Sequence, residues 1–192
     1  MANAAKHAYV LNVVADDHPG IVAAVGQAVA GAGGNIDACS QTVLEGYFTL
    51  IMIVSFPHPV ISEELAERVR RHRGEQTGLQ VIVRPFEPPP PGRPAGEQLA
   101  DRFVITAFGR DKPGIVLRFS QYLAGKDINI VDLYGQKKGQ DFVLIGQVEV
   151  PGRWDLPQFQ HDLEELGRAE GYTVRLQHEN IFVATNQLRL PR

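Results

Sequence analysis

A six-residue stretch, Asp17-His18-Pro19-Gly20-Ile21-Val22, returns in the second half of the chain as Asp111-Lys112-Pro113-Gly114-Ile115-Val116. The offset from 17 to 111 is 94 residues, and the dipeptide Asn35-Ile36 recurs at the same offset as Asn129-Ile130. Separated matches in one register are the signature of an internal repeat. The sequence therefore predicts two copies of one structural unit.

The two copies differ in spacing over one short segment. Phe48 recurs at the common offset as Phe142, but Gln41 recurs as Gln136, at an offset of 95. This spacing predicts one extra residue in the second copy, which is removed again before Phe142. A β-bulge or an altered hairpin turn would accommodate such an insertion.

A proline-rich segment separates the copies. Six of the ten residues from Pro85 to Pro94 are proline. Such a segment cannot join a helix or a central strand, and as polyproline II it would act as a semi-rigid spacer. We predict a first domain over residues 1–86, a linker over 87–99 and a second domain over 100–192, which includes a C-terminal tail.

In the first copy, hydrophobic periodicity predicts the element order β-α-β-β-α-β. An apolar stripe of helical period, from Ile21 to Ala32, stops at Gly33-Gly34, which is typical of a helix end. The predicted elements are a strand Tyr9–Ala15, a helix from Ile21, strands over 35–44 and 47–55 around the turn Glu45-Gly46, a helix with Ile61, Leu65 and Val69 on its buried face and Ser62 as N-cap, and a strand over 79–84.

The second copy repeats this order. Its predicted features are a helix with Ile115, Phe119, Tyr122 and Leu123 inward and Gly125 at its end, strands over 129–137 and 141–150 around Lys138-Gly139, a helix opened by Asp155 and Gln158 at capping-box spacing with Leu156, Phe159, Leu163 and Leu166 inward, and a strand over 172–177. This order predicts the α+β class, with two ferredoxin-like βαββαβ domains in tandem. Each would have a four-stranded antiparallel sheet covered on one face by two helices.

The repeated loop between first strand and first helix has two interpretations. In an architectural role, proline occupies the first helical position, glycine permits close approach, and aspartate or its neighbour caps the helix. In a ligand-binding role, the unsatisfied N–H groups of the helix start bind a carboxylate, and glycine lets the ligand reach the backbone. The asparagine after the helix either forms a turn or offers its amide to the same ligand. The loop and the asparagine lie at opposite ends of one helix, so a pocket that uses both is more easily completed across an interface between two domains.

The combination Asp-x-Pro-Gly-Ile-Val, a helix, Asn-Ile and an alternating strand resembles the ACT domain, an amino-acid-sensing module, in both copies. The whole chain is similar to the stand-alone tandem ACT proteins, a group typified by glycine cleavage system transcriptional repressors. The resemblance implies ligand binding at paired ACT interfaces, a homodimer, and control passed to a regulatory protein partner. The ligand-binding positions that it implies are Asp17, His18, Pro19, Gly20, Ile21, Asn35 and Ile36, and Asp111, Lys112, Pro113, Gly114, Ile115, Asn129 and Ile130.

The two predicted sites differ in chemistry. His18 stands where the second copy has Lys112, and Cys39-Ser40 corresponds to Leu133-Tyr134-Gly135 if the extra residue is present. We therefore do not expect equal affinity, or the same ligand, at both sites.

Composition excludes several other classes. With 19 Lys and Arg against 22 Asp and Glu, the net charge of −3 argues against direct nucleic-acid binding. One cysteine forms no internal disulfide, and the start of the chain lacks the apolar region of a signal peptide, so we expect a cytoplasmic protein without membrane spans. The basic run Arg68, Arg70, Arg71 and Arg73 suits the end of a helix better than a phosphate or RNA site. Histidine spacing gives no metal site, and no cofactor motif is present.

The favoured hypothesis is a non-catalytic protein that binds an amino acid and controls a partner, such as a transcriptional regulator of amino-acid or one-carbon metabolism. One alternative is a regulatory subunit or detached regulatory piece of a metabolic enzyme, because ACT pairs precede the catalytic domains of some phosphoserine phosphatases and formyltetrahydrofolate deformylases. We expect no catalytic domain here, since the chain ends at Arg192. The other alternative is an assembly protein whose ACT surfaces only oligomerise.

Overall fold

A computed structural model describes residues 7–71, 78–88 and 101–182. The chain divides into two compact units, Met1–Pro91 and Gly92–Arg192, and each is considered by itself. From residue 89 to 99 the predicted linker lies outside the described residues, as does the tail from residue 183.

Unit 1 has the predicted βαββαβ order. Its elements are β1 (His7–Asp16), α1 (Ile21–Gly31), β2 (Asn35–Leu44), β3 (Tyr47–Phe56), α2 (Ser62–Arg71) and β4 (Gln80–Pro85). The strands form one antiparallel sheet in the order β2-β3-β1-β4, so the edge strands are β2 and β4.

Unit 2 repeats this architecture. Its elements are β5 (Asp101–Arg110), α3 (Ile115–Gly125), β6 (Asn129–Lys138), β7 (Asp141–Val150), α4 (Leu156–Glu170) and β8 (Tyr172–His178). The sheet order is β6-β7-β5-β8, again antiparallel throughout. The predicted α+β tandem of two ferredoxin-like domains is confirmed.

Each core lies between one face of a sheet and its two helices. Alternate residues of β1, among them Leu11 and Val13, are almost fully buried, as the period of a half-buried strand predicts. The predicted stripe of α1 is buried with them, including Ile21 and Val25. Burying each such aliphatic side chain contributes about 1.5–3 kcal/mol to stability. In α2 the prediction for Ile61 is wrong: this side chain is 63% exposed, and Ala66 joins Leu65 and Val69 in the core.

The predicted extra residue in the second copy is absent. In both units the register of the edge strand shifts at one place, between Ile36 and Ala38 and between Ile130 and Asp132. These bulges are equivalent, so the offset of 94 continues through the hairpin, and Gly135 rather than Gln136 stands at the position of Gln41. Matching the two glutamines by residue type caused the error. Cys39-Ser40 corresponds to Leu133-Tyr134 alone.

The hairpin turns contain two residues in each unit. In unit 1 they are Glu45 and Gly46, as predicted, and both have positive φ, of 49° and 85°. In unit 2 they are Gly139 and Gln140 instead of the predicted Lys138-Gly139, and only Gly139 has positive φ, of 63°. Lys138 is thereby the last residue of β6, paired with Asp141.

Helix α3 ends at Gly125, as predicted, but the residues that close the first helix of each unit differ in type. Helix α1 closes with a left-handed Gly33, and the N–H of Gly34 donates to the carbonyl of Val29. In α3 the left-handed residue is Asp127, with φ of 56°, while Gly125 is still helical. A non-glycine residue is tolerated at this position because short polar side chains adopt the left-handed conformation at modest cost.

The start of α4 is capped as predicted, but by only half of a capping box. The Asp155 side chain accepts a hydrogen bond from the backbone N–H of Gln158. The side chain of Gln158 donates to Asp162 instead of reaching back to the cap. In α2, Ser62 is the first helical residue rather than the predicted N-cap.

Candidate functional site

The loop between β1 and α1 is built on one left-handed glycine. Gly20 has φ of 99° and is the N-cap of α1, with no side chain accepting from the helix N–H groups. The architectural prediction is therefore wrong in two details: Pro19 precedes the cap instead of occupying the first helical position, and Asp17 does not cap. The loop is fixed to the turn between β2 and β3, because the N–H of Asp17 donates to the carbonyl of Gly46 over 2.8 Å.

His18 is the unusual side chain of this loop. Its Nδ1 atom lies 2.8 Å from the carbonyl oxygen of Pro19 and donates to it, because a carbonyl oxygen only accepts. Within the described residues, Nε2 is buried and has no hydrogen-bond partner. This loop, Asp17–Ile21, is loop 1, and it thus contains a buried ring nitrogen without a hydrogen-bond partner among the described residues.

The equivalent loop of unit 2, Asp111–Ile115, is loop 2, and it has the same backbone conformation at its glycine but different side-chain contacts. Gly114 is the left-handed N-cap of α3, with φ of 89° and no side-chain cap. The N–H of Asp111 donates to the carbonyl of Gln140, matching the contact in unit 1. Lys112 donates to the carbonyl of Glu170 over 2.8 Å, and Nζ of Lys137 lies 2.6 Å from a carboxylate oxygen of Asp111.

The residues around loop 1 and those around loop 2 have net charges of opposite sign. Beside loop 1, the residues at positions 16–18 and 43–47 include three carboxylates and neither lysine nor arginine: Asp16, Asp17 and Glu45. The equivalent positions of unit 2, 110–112 and 137–141, contain four cations and two carboxylates: Arg110, Lys112, Lys137 and Lys138, with Asp111 and Asp141. An anionic ligand therefore meets a more favourable field at loop 2.

The predicted asparagines lie away from the loops of their own units. Asn35 and Asn129 are exposed at the starts of β2 and β6, and each is separated from its loop by an 11-residue helix. Such a helix is about 16 Å long, too far for one amino acid to touch both ends. The Asn35 amide instead donates to Asp37 over 2.8 Å. Within each unit the predicted loop residues therefore lie together, but the predicted pairs Asn35-Ile36 and Asn129-Ile130 lie apart from them.

Unit 2 has an apolar groove between α3 and β6 that sequence reasoning missed. It is a narrow groove with a cavity volume of about 20 Å³, and it lies between Val116 and Ser120 of the helix and Ile130 and Leu133 of the strand. Its floor contains Gly146, whereas the equivalent position of unit 1 is Met52, a fully buried side chain. The replacement of a methionine by glycine at one repeat position was the signal that could have predicted the groove.

The basic run of α2 lies in its last turn. Arg70 is held by Glu63 and Glu67, over 2.9 and 2.6 Å, and donates to the carbonyl of Val81. Hydrogen bonds from these two carboxylates raise the pKa of Arg70 further above its usual value. Arg73 lies outside the described residues. These contacts favour the predicted structural role for the run.

The described residues contain neither a cluster of metal ligands nor a helix that could span a membrane. Over residues 7–71, 78–88 and 101–182, no three His, Cys, Asp or Glu side chains are grouped so that they could hold a metal ion. No helix in the same ranges is long and apolar enough to span a bilayer.

Both repeats match one known sequence family. The model of the ACT domain family matches residues 7–83 and again residues 101–177. The chain belongs to the ACT domain family. It contains two ACT domains in tandem, and their loops Asp17–Ile21 and Asp111–Ile115 occupy the same position in each domain.

Relatives of about one ACT domain in length match part of the chain. A UPF0237 protein from Methanosarcina acetivorans is 37% identical over 84 residues, which are 43% of this chain and 91% of that protein. A UPF0237 protein from Lactococcus lactis is 33% identical over 87 residues, which are 45% of this chain and 99% of that protein.

Two solved structures share the tandem fold. An uncharacterised protein from Galdieria sulphuraria is 21% identical with a TM-score of 0.69, and the match covers 90% of this chain and 98% of that one. A protein provisionally named a glycine cleavage system transcriptional repressor is 23% identical with a TM-score of 0.65, covering 90% of this chain and 97% of that one.

Proposed function

We propose that this tandem ACT protein is a non-catalytic regulator that binds a free α-amino acid at one or both loop sites. The observation that supports this most strongly is the pair of uncapped helix starts at Gly20 and Gly114. A helix often satisfies one of its first N–H groups with a side chain at the N-cap, and neither of these two helices has a side-chain cap, which leaves these groups to an external acceptor. A carboxylate is the group that such a helix start favours.

The ligand that fits this chemistry is a small zwitterion, with glycine or serine the first to test. Its carboxylate would accept from the N–H groups behind Gly20 or Gly114. Its ammonium group would donate to an acceptor such as an asparagine side-chain carbonyl or, in loop 1, the unsatisfied Nε2 of His18. Because Asn35 and Asn129 are a helix length from their own loops, the proposal places the completed pocket between paired ACT domains.

The regulatory part of the proposal concerns what the ligand controls. A ligand held between two paired domains stabilises the paired state in proportion to its preference for that state. We propose that this bias is passed to a partner protein in the cytoplasm, such as a transcriptional regulator of amino-acid or one-carbon metabolism. The fold shared with the provisionally named repressor supports a role in transcriptional regulation, but it does not identify the partner protein.

A thermal-shift screen tests the binding step. The twenty amino acids are added singly at millimolar concentration, and the midpoint of unfolding is followed by scanning fluorimetry. A ligand at about 100 times its Kd adds about 2.7 kcal/mol, which raises the midpoint by several degrees. The same screen on Gly20→Val combined with Gly114→Val should show no shift. If none of the twenty moves the midpoint of the folded protein, amino-acid sensing is wrong and the assembly role is favoured.

A further inference from the structure

The apolar groove of unit 2 exists because a glycine stands on its floor. Gly146 lies in the middle of β7, and Leu144 and Val148, the next residues on the same face of the strand, are buried in the core. The equivalent floor residue of unit 1 is Met52, which is 2% exposed. A long side chain thus occupies in unit 1 the space that stays open beside the first helix of unit 2.

Leu133 covers part of this floor. It stands directly opposite Gly146 in the pairing of β6 with β7, and a Cβ at Gly146 would lie 3.5 Å from its Cδ1 atom. The residue at the position of Leu133 in unit 1 is the smaller Cys39. Leu133 therefore limits the size of the groove from above, as Gly146 opens it from below.

The dimensions of the groove restrict what can enter it. Its cavity volume is about 20 Å³, and one water molecule needs about 10–15 Å³. The groove therefore accepts one group of about the size of a methyl. Its lining is apolar except for Ser120, whose hydroxyl already donates to the carbonyl of Leu117 over 3.1 Å. The entering group should thus be a hydrocarbon.

The groove begins at the helix start that adjoins loop 2. Val116 on its wall is the second residue of α3, after the N-cap Gly114, and Ser120 lies about 6 Å further along the helix axis. Loop 2 is surrounded by cations, among them Lys112 and Lys137. Cations at one end and apolar walls beside them are complementary to a small molecule with a carboxylate and a short hydrocarbon group.

We propose that Gly146 is a specificity-determining residue of the loop 2 site, which takes an α-amino acid with a short apolar side chain, such as alanine or 2-aminobutyrate. The helix start at Gly114 binds the carboxylate, and the groove receives the side chain. This inference rests on the proposed function, which supplies the amino acid, and it adds the class of side chain. Because Met52 fills the corresponding space of unit 1, loop 1 has no such preference.

A ligand series measures the preference. Glycine, alanine, 2-aminobutyrate and leucine are titrated calorimetrically into a chain with Gly20→Val, shown to be folded by circular dichroism, so that only loop 2 reports. Burial of one methyl group tightens binding about fourfold, so alanine and 2-aminobutyrate should each bind at least about fourfold more tightly than glycine. Leucine exceeds the groove and should bind no more tightly than glycine.

Two variants should shift this preference in opposite directions. Gly146→Ala fills the floor, so the Kd of alanine should rise to within about twofold of the glycine Kd, while the glycine Kd stays the same. Leu133→Ala uncovers the floor, so leucine should bind more tightly than alanine. Both variants are also titrated without Gly20→Val, because any change that they cause still arises at loop 2.

The matched control is Gly125→Ala at the far end of α3, where an added Cβ meets no atom within 4 Å and φ is not positive. It should leave all four Kd values unchanged. Equal Kd values of glycine and alanine in the unmodified groove, or a preference for alanine that survives Gly146→Ala, would overturn the inference and leave amino-acid binding at loop 2 intact. Binding of none of the four would overturn the proposed function at loop 2 and this inference with it.

Discussion

Lys137 and Asp111 form a 2.6 Å ion pair that ties the end of β6 to loop 2. The equivalent of Lys137 in unit 1 is Val43, so loop 1 has no cation in this place. The pair is partly exposed, with 62% of the lysine side chain and 31% of the aspartate side chain accessible. Exposed ion pairs add little stability, so its main effect is on the local charge of loop 2.

We expect Lys137→Val to weaken amino-acid binding at loop 2 while changing the free energy of unfolding by less than about 1 kcal/mol. The unpaired Asp111 carboxylate would repel the ligand's carboxylate. The reciprocal change, Val43→Lys, should strengthen binding at loop 1 by placing a cation near Asp17. Calorimetric titration measures both. If each variant bound the amino acid with the same affinity as the unmodified chain, neither Lys137 nor the introduced lysine would act on the ligand.

Replacing the cap glycines Gly20 and Gly114 should destabilise the fold as well as weaken ligand binding. A Cβ at Gly20 or Gly114 would meet no atom within 4 Å, but φ values of 99° and 89° are strained for any L side chain and most of all for a β-branched one. We expect Gly20→Val and Gly114→Val each to lower the free energy of unfolding by about 1–3 kcal/mol. Denaturant titration measures this loss.

The control for those variants is Gly26→Ala in the middle of α1, where a Cβ also meets open space but φ is not positive. It should raise stability by about 0.5–1 kcal/mol. A cap variant as stable as the unmodified chain would mean that the loop adopts another conformation.

Filling the apolar groove should stabilise unit 2. A Cβ at Gly146 would lie 3.5 Å from Cδ1 of Leu133, an ordinary contact, and φ is not positive there. Gly146→Ala should therefore raise the free energy of unfolding by about 0.5–1 kcal/mol, through added contact and a less flexible unfolded chain. Met52→Ala at the equivalent position of unit 1 should lower it by about 2–5 kcal/mol. A destabilised Gly146→Ala would indicate that the groove is closed in solution.

Asp162 should make the stability of unit 2 depend on pH on the acid side. Hydrogen bonds from Gln158 and Lys126 hold the pKa of its carboxyl below the ordinary value of 3.8. A carboxyl with a depressed folded-state pKa stabilises the fold above its unfolded pKa, and this contribution is lost as pH falls through the folded pKa. Asp162→Asn should thus lower the melting temperature near neutral pH, and the difference should shrink below about pH 4. A difference that is constant with pH would show that the charge of Asp162 is not what matters.

Much of the fold follows from local patterns. The helical stripe of α1, the period of β1 and the Asp155 cap are readable because they depend on neighbouring residues and on burial of one face. The prediction was wrong where the local sequence was compatible with two structures. Ile61 continues the apolar stripe of α2, yet it is exposed, because the helix begins only at Ser62 and the residue before it that packs against the core is Val60.

By itself, the sequence determined that this chain is two copies of one βαββαβ unit with a glycine-led loop before each first helix, because repeats and periodicity are written in residue order. Only the tertiary structure decided that the bulges of β2 and β6 are equivalent, that Gly20 and Gly114 are left-handed caps, and that Lys137 reaches Asp111. Register and backbone conformation depend on which residues face each other across a sheet. Those contacts join residues far apart in the chain, so no local pattern contains them.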